Sequence, residues 1–247
     1  MRALLSVLSI VLVSGCGSAP PLYSTTPNVT DVSVDGMPAE WPSALRPVPG
    51  ESGLSVGLQL DGRDLVAVFV AGDDRQARRI ALGGIRVWID PSGGDDRSFA
   101  IRYPVPEAPG VQELIRSAPR GTRRGGTADP TQLRRRFEAG LDQAELTRGV
   151  VTQRVDPMGA GFQAAAVWGP QDLVVEMRIP LDEAPGLLET SAGGVVGIGV
   201  ELLDVRLPQI AGRRIDPNRQ PGGRQAERRE PVFEPSTLTR WLRIERG

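Results

Sequence analysis

Short apolar runs, separated by turn residues, recur along most of this chain. Residues 54–60 alternate leucine or valine with small or polar residues, residues 61–64 (Asp-Gly-Arg-Asp) interrupt the pattern, and residues 65–70 form a new apolar run. Two such runs joined by a polar turn predict a β-hairpin. Residues 85–89 and 99–103 flank a second, glycine-rich turn and predict another pair of strands.

The second half of the chain continues this pattern. β-Branched or alternating runs occupy residues 161–168, 173–179, 195–205 and 239–244. Roughly nine short strands with few helices predict a mainly β fold, an antiparallel β-sandwich, formed by a single domain over residues 30–247.

Two regions depart from the strand pattern. Leu133, Phe137 and Leu141, followed by Ala144, recur at helical spacing after Asp129-Pro130, which predicts a helix over residues 130–148. A shorter helix is predicted over residues 111–117, so residues of about 104–150 form a partly helical insertion. Residues of about 207–236 are rich in Pro, Gly, Gln and charge, a composition that favours a long mobile loop.

The N-terminus has the features of a secretion signal. Met1-Arg2 precedes an apolar run over residues 3–13 that is too short to span a bilayer. The small residues Ser14 and Gly15 directly before Cys16 resemble a lipobox, the processing signal of bacterial lipoproteins. Residues 1–15 are therefore predicted to be removed, and Cys16 to carry lipid, including palmitate; the alternative is a buried strand that ends in an ordinary thiol.

The residues after Cys16 bear on where the protein resides. Gly17, rather than aspartate, follows the cysteine, and in lipoproteins this favours the outer membrane over the inner one. Residues 16–29 are rich in Pro, Ser and Thr with little aliphatic content, which predicts a flexible tether between the lipid and the domain.

Composition excludes several classes of function. The chain of 247 residues has 29 basic and 30 acidic side chains, and this balance gives no reason to expect a nucleic-acid partner. It has no histidine and one cysteine, which removes Ser-His-Asp, Cys-His and His-dependent zinc chemistry. The G-x-S-x-G match at residues 53–57 lies inside a predicted strand and has no histidine partner, so we do not interpret it as a nucleophile elbow.

Four motifs, in order, resemble the domains of carbohydrate-binding module family 9, a β-sandwich group related to DOMON-like domains. The matching segments are residues 34–42 (Val-Asp-Gly-Met-Pro-Ala-Glu-Trp-Pro), 58–68 (a hairpin around Asp-Gly-Arg-Asp), 87–91 (Val-Trp-Ile-Asp-Pro) and 175–181 (Val-Glu-Met-Arg-Ile-Pro-Leu), with Trp241 in the position of a closing strand. The resemblance implies a sandwich that binds carbohydrate without catalysis.

Several motif residues have predicted structural roles. Asp35-Gly36 suits a tight turn in which the aspartate accepts backbone N–H groups, and Trp41 is expected to close the end of the sandwich. Glu176 lies between Val175 and Met177, which places it on the outward face of its strand, where it could pair with an arginine or bind a cation. We expect the arginine pair.

Candidate ligand-binding residues follow from what sugar recognition requires, namely exposed aromatic faces beside polar groups. Trp88 shares a strand face with Arg86, opposite Val87 and Ile89, and is the first candidate for an exposed platform. Trp168, at the end of a strand, is the second. Burial of both under the helical insertion is the alternative interpretation.

No cofactor is expected, although a structural calcium ion stays open. Asp90, Asp95 and Asp96 concentrate hard oxygen ligands in one loop, near Asp73 and Asp74, but their spacing does not match an EF-hand loop and an ordinary polar turn has the same composition. We therefore assign no metal ligands.

Three functions remain in competition. The first is a non-catalytic, lipid-anchored envelope module that binds a glycan. The second is a structural or assembly lipoprotein that docks another envelope protein. The third is a hydrolase with paired carboxylates, whose separation the sequence cannot give. The first is preferred.

Overall fold

A computed structural model describes residues 22–23, 32–41, 44–61, 64–106, 130–181, 195–204 and 236–245. They form a β-sandwich of two sheets, as predicted. The larger sheet has seven strands, in the order β1 (Leu22–Tyr23), β12 (Ser236–Glu245), β11 (Val195–Asp204), β5 (Ile85–Asp90), β6 (Phe99–Tyr103), β7 (Ala144–Arg148) and β8 (Val151–Val155). The smaller has five, in the order β2 (Arg46–Pro47), β3 (Leu54–Asp61), β4 (Asp64–Ala71), β10 (Leu173–Pro180) and β9 (Gln163–Trp168). Among these described strands every pairing is antiparallel except that of β1 with β12.

The core lies between the two sheets. Because side chains alternate along a strand, each strand sends every second residue inward. Phe69 of β4, Ile89 of β5 and Met177 of β10 are among the fully buried side chains of this cluster. Two helices pack against each other at the sandwich, α1 (Asp74–Gly83) and α2 (Pro130–Ala139).

Helix α1 was not predicted, although its sequence carries the signals. The side chain of Asp73 accepts the N–H of Gln76 at 2.8 Å, which is the geometry of an N-cap. Ala77, Ile80 and Ala81 lie at helical spacing and are buried. Ile80 and its neighbours join the same core as the strands.

The predicted helix over residues 130–148 is correct only at its beginning. Helix α2 ends at Ala139, and residues 144–148 are strand β7, so the last part of the predicted helix is a strand. Strand β8 was not predicted. The buried side chains of Ala144 and Leu146 alternate with Glu145, which is a strand pattern that the helical spacing of Leu141 and Ala144 obscured.

The ends of other predicted segments also change. Leu22–Tyr23, assigned to the tether, pair with Arg243 and Ile244 of β12. Ser236, assigned to the mobile loop, begins β12. The predicted short helix over residues 111–117, the rest of the loop and Cys16 lie outside the described residues. In the described part of the chain, no helix is long and apolar enough to cross a membrane.

Residues 32–41 cover the outer face of the smaller sheet. The ring of Trp41, 1% exposed, lies over Gly57, where an added Cβ would be 2.6 Å from the indole. Trp41 joins a second apolar cluster with Val66, Val68 and other residues of this face. The tryptophan therefore covers one face of a sheet; it does not close the end of the sandwich.

The prediction that Glu176 pairs with an arginine is wrong. Its carboxylate points outward on β10, as expected, but it is fully buried by the N-terminal segment and accepts the backbone N–H groups of Asp35 at 3.0 Å and Gly36 at 2.8 Å. Burial raises the pKa of Glu176, and the two backbone hydrogen bonds oppose that rise. The Asp35-Gly36 turn forms as predicted, with Asp35 Oδ1 accepting the N–H of Met37 at 2.8 Å.

Candidate ligand-binding face

The outward residues of the larger sheet form two parallel rows that run across its strands. Cross-strand register aligns the first, here called the charged row, as Glu201, Arg86, Arg102, Glu145 and Arg154. The second, here called the aromatic row, lies two residues along each strand and consists of Trp241, Gly199, Trp88, Ala100, Thr147 and Thr152. Because residues i and i+2 of a strand share a face, the two rows are neighbours on one surface.

Two tryptophans flank a glycine in the aromatic row. A Cβ added to Gly199 would lie 3.0 Å from Cε2 and from Cζ2 of Trp241, and 3.0 Å from the Cβ of Trp88. The indole of Trp241 therefore lies across the bare backbone at Gly199, next to Trp88. Trp241 is partly exposed.

Glu201 links the two rows. Its Oε2 accepts the indole N–H of Trp88 at 2.7 Å, and its Oε1 accepts from Nη1 of Arg86 at 3.1 Å. The guanidinium carbon of Arg86 is 5.7 Å from the centre of the Trp88 ring, within the range of a cation–π contact. These contacts fix the orientation of the Trp88 ring.

Glu145 is shared by three arginines. Its Oε1 accepts from Nη2 of Arg102 at 2.7 Å and lies 4.0 Å from Nε of Arg154, while its Oε2 is 3.8 Å from Nη2 of Arg86. Burial lowers the pKa of Arg102, and the nearby charges of Arg86 and Arg154 lower it further, against the effect of Glu145. The charged row thus holds three guanidinium groups against two carboxylates.

The structure brings together two of the three predicted ligand-binding residues. Trp88 and Arg86 are neighbours on the outer face, whereas Trp168 ends β9 in the other sheet. Trp168 packs edge-to-face on Phe137 of α2, with ring centres 5.7 Å apart, and its carbonyl accepts from Arg134. Its role in binding stays a prediction.

Trp88 is not the exposed platform that was expected. It is 8% exposed, and the contacts found for it among the described residues are with its own sheet, namely Glu201, Arg86 and the backbone at Gly199. The partly exposed tryptophan of this face is Trp241, for which only a position in a closing strand was predicted. Gly197 and Gly199 were an available signal, because glycine at alternate positions of a strand often marks a close approach over one face.

Asp90, one of the aspartates considered for calcium, has a structural role. Asp90 accepts the Ser92 N–H at 2.9 Å, the Ser92 hydroxyl at 2.6 Å and the Asp96 N–H at 3.0 Å, which shapes the turn after β5. Burial alone would raise the pKa of Asp90, but these hydrogen bonds outweigh it and the pKa is lowered. Within the described ranges, no group of three or more acidic or cysteine side chains is arranged to hold a metal ion.

A cleft of about 360 Å³ opens on the inner side of the β7–β8 hairpin. It is lined by Leu146, Arg148, Gln153, Val155, Asp156, Gly159 and Ala160. Among its described lining residues Asp156 has the one carboxylate, so they do not provide the paired acids of a glycoside hydrolase.

Comparison with known proteins adds a loose structural similarity. No family model matches the chain, and no curated protein matches it. One similar solved structure is a carbohydrate binding module family 9 from Caldicellulosiruptor kristjanssonii in complex with cellotriose, at 12% identity over 74% of this chain and 76% of that chain, with a TM-score of 0.32. A second, from the same organism in complex with glucose, has 10% identity over 73% and 77% and a TM-score of 0.35. At these scores the similarity does not bear on the function of this chain.

Proposed function

We propose that this chain is a non-catalytic binding module that recognises carbohydrate through the outer face of its larger sheet. The observation that carries the proposal is the indole of Trp241, which lies across Gly199 and against Trp88 while part of its surface stays exposed. The family 9 resemblance of the sequence motifs points to the same class of function.

The chemistry of the face suits a sugar. An indole presents an apolar surface to the C–H groups of a sugar ring, and neighbouring charged groups bond its hydroxyls. The hydrogen bonds that Trp88 and Arg86 donate to Glu201 hold this face in one arrangement, so little side-chain entropy is lost on binding. A preorganised aromatic and polar surface is what a binding module requires.

The test is a glycan array followed by calorimetry with the purified chain. Trp241→Ala is expected to abolish or strongly weaken glycan binding, because it removes the exposed indole. Trp168→Ala removes the tryptophan of the other sheet that was also predicted to bind a ligand, and glycan binding that persists in this variant would assign the site to the larger sheet. Far-ultraviolet circular dichroism checks that both variants fold.

Two results of these measurements would contradict the proposal. If Trp168→Ala removes binding and Trp241→Ala does not, the site lies on the other sheet. If the unmodified chain binds no glycan, the carbohydrate proposal is wrong.

We further propose that a lipid on Cys16 anchors the module to the outer membrane. The apolar run before Ser14-Gly15-Cys16 supports this processing. In bacterial cells grown with labelled palmitate, the chain is expected to incorporate label and to sediment with outer membranes. Cys16→Ser should remove the label, and unlabelled wild-type chain would contradict the proposal.

A second candidate function is assembly with another envelope protein. It is favoured by the β7–β8 hairpin, where Val150 and Val151 are 102% and 60% exposed. Exposed valines beside a strand at the edge of the described sheet are typical of surfaces that pair with a partner chain. Crosslinking from position 151 in intact cells should then capture one defined partner, and the Val151→Asp variant should lose it while glycan binding persists.

A further inference from the structure

We propose that the ligand of this face is an acidic oligosaccharide, with a sugar ring against Trp241 and a carboxylate bound by the guanidinium groups of Arg102 and Arg154. This inference rests on the proposed carbohydrate function and names its substrate class.

The first argument is the unbalanced charge of the charged row. Three guanidinium groups share two carboxylates, and one of these carboxylates, Glu201, also accepts the indole N–H of Trp88. Three like charges around Glu145 repel one another; burial is the main cause of the lowered pKa of Arg102, and the charges of Arg86 and Arg154 add to it. A bound anion would relieve this repulsion, whereas a neutral sugar would leave it in place.

The second argument is the accessibility of Arg154. Its side chain is 45% exposed, and the 4.0 Å separation of its Nε from Glu145 is too long for a hydrogen bond. A guanidinium group held loosely at a surface, beside a partly buried arginine, presents a fork that matches a carboxylate. Arg102, bonded to Glu145 at 2.7 Å, fixes one side of this position.

The third argument is the row of short side chains that lies between Trp241 and Arg154 on this face. In the aromatic row Trp88 is followed by Ala100, then by Thr147 and Thr152, whose hydroxyl oxygens are 3.0 Å apart. These side chains are shorter than the arginines beside them. With strands about 4.8 Å apart, five strand steps separate Trp241 from Arg154 by about 24 Å, a span for an oligosaccharide and not for a single sugar.

The test uses three probes on the purified full chain by isothermal titration calorimetry. An oligogalacturonate supplies carboxylated sugars, a cello-oligosaccharide of the same length supplies neutral ones, and polyglutamate supplies carboxylates without sugar. We expect the oligogalacturonate to bind at least about tenfold more tightly than either of the others, since one charge-assisted contact accounts for about that factor. Raising salt from about 0.05 to 0.5 M should weaken this binding, because the charged row is near the surface.

Arg154→Ala separates the charge effect from the aromatic one. It should weaken oligogalacturonate binding about tenfold and leave any weak cello-oligosaccharide binding unchanged. Arg78→Ala is the matched control, an arginine of α1 that is 40% exposed and pairs only loosely with Asp74 at 3.8 Å. It should change neither affinity.

The possible outcomes are distinguishable. If the neutral oligosaccharide binds as tightly as the acidic one, or if Arg154→Ala weakens both equally, the acidic ligand is refuted while the carbohydrate function stands. If polyglutamate binds as tightly as oligogalacturonate, the face recognises charge and not an acidic sugar. If no sugar binds, the carbohydrate proposal fails and this inference fails with it.

Discussion

Glu176 is the buried carboxylate that holds residues 32–41 on the smaller sheet, and its removal gives the sharpest test of the structure. In Glu176→Ala, the backbone N–H groups of Asp35 and Gly36 lose their shared acceptor. A buried N–H left unpaired costs about 1–3 kcal/mol. Gly36 N–H is buried, whereas that of Asp35 is partly buried and can regain water, and the alanine also relieves the cost of burying a charge. We therefore expect the free energy of unfolding of the variant to be about 2 kcal/mol lower than that of wild type.

Glu176→Gln is the matched control. Glutamine keeps an oxygen that can accept both N–H groups and carries no charge, so we expect its free energy of unfolding to stay within about 1 kcal/mol of wild type. Urea unfolding followed by tryptophan fluorescence measures both variants, since Trp41 belongs to this segment and is buried against the sheet. Equal losses for alanine and glutamine would refute the assigned hydrogen bonds.

The pH dependence gives an independent check on Glu176. Its folded pKa is raised above the ordinary value of 4.5, so the protonated form is favoured in the folded state. The stability from this group is fully present below pH 4.5 and is lost as pH rises through the raised folded pKa. The difference in stability between wild type and Glu176→Gln should therefore shift against wild type over that interval, and a difference independent of pH would contradict the assignment.

Three further predictions concern single side chains, each measured by urea unfolding. Gly199→Ala should lower the free energy of unfolding by about 1–3 kcal/mol and weaken glycan binding, because the added Cβ would push Trp241 away. Its control is Gly72→Ala, which has open space around it and should lower the free energy of unfolding by less than about 1 kcal/mol. Equal losses would contradict the described packing. Trp88→Phe should cost about 1–3 kcal/mol, since Glu201 loses a buried donor at 2.7 Å, and an unchanged stability would show that this bond contributes nothing. Asp73→Ala should cost about 1 kcal/mol by removing the N-cap of α1, and Asp73→Asn, which keeps a capping oxygen, should restore most of it.

The sandwich could be predicted because alternation along a strand is a local signal. Strand β10 illustrates this: residues 173–179 alternate, and the structure buries Val175 and Met177 in the core while Glu176 points outward. The same local reasoning failed where two patterns overlapped. Ala144 continues the helical spacing of α2 and also begins the alternation of β7, and the helix ends at Ala139 before a turn at Gly140.

The site could be predicted only in part, because it depends on register between distant strands. Sequence placed Arg86 and Trp88 on one face, since they are two residues apart. It could not pair Trp88 with Gly199, 111 positions later, or bring Glu145 beside Arg102. The cover over Glu176 was missed for the same reason, as alternation gives the face of a residue but not what packs on it.

With the proposed lipid on Cys16, the short parallel pairing of β1 with β12 would set how far the module can reach from a membrane. Leu22 pairs with Arg243, so a lipid on Cys16 would lie six peptide steps from the sheet, a span of at most about 20 Å. Without this pairing, the chain from Cys16 to Val32 could span up to about 55 Å. With the shorter span, of about 20 Å, the edge strand next to Trp241 would lie close to the lipid headgroups, and the face would meet only those sugars that lie within a few nanometres of the bilayer.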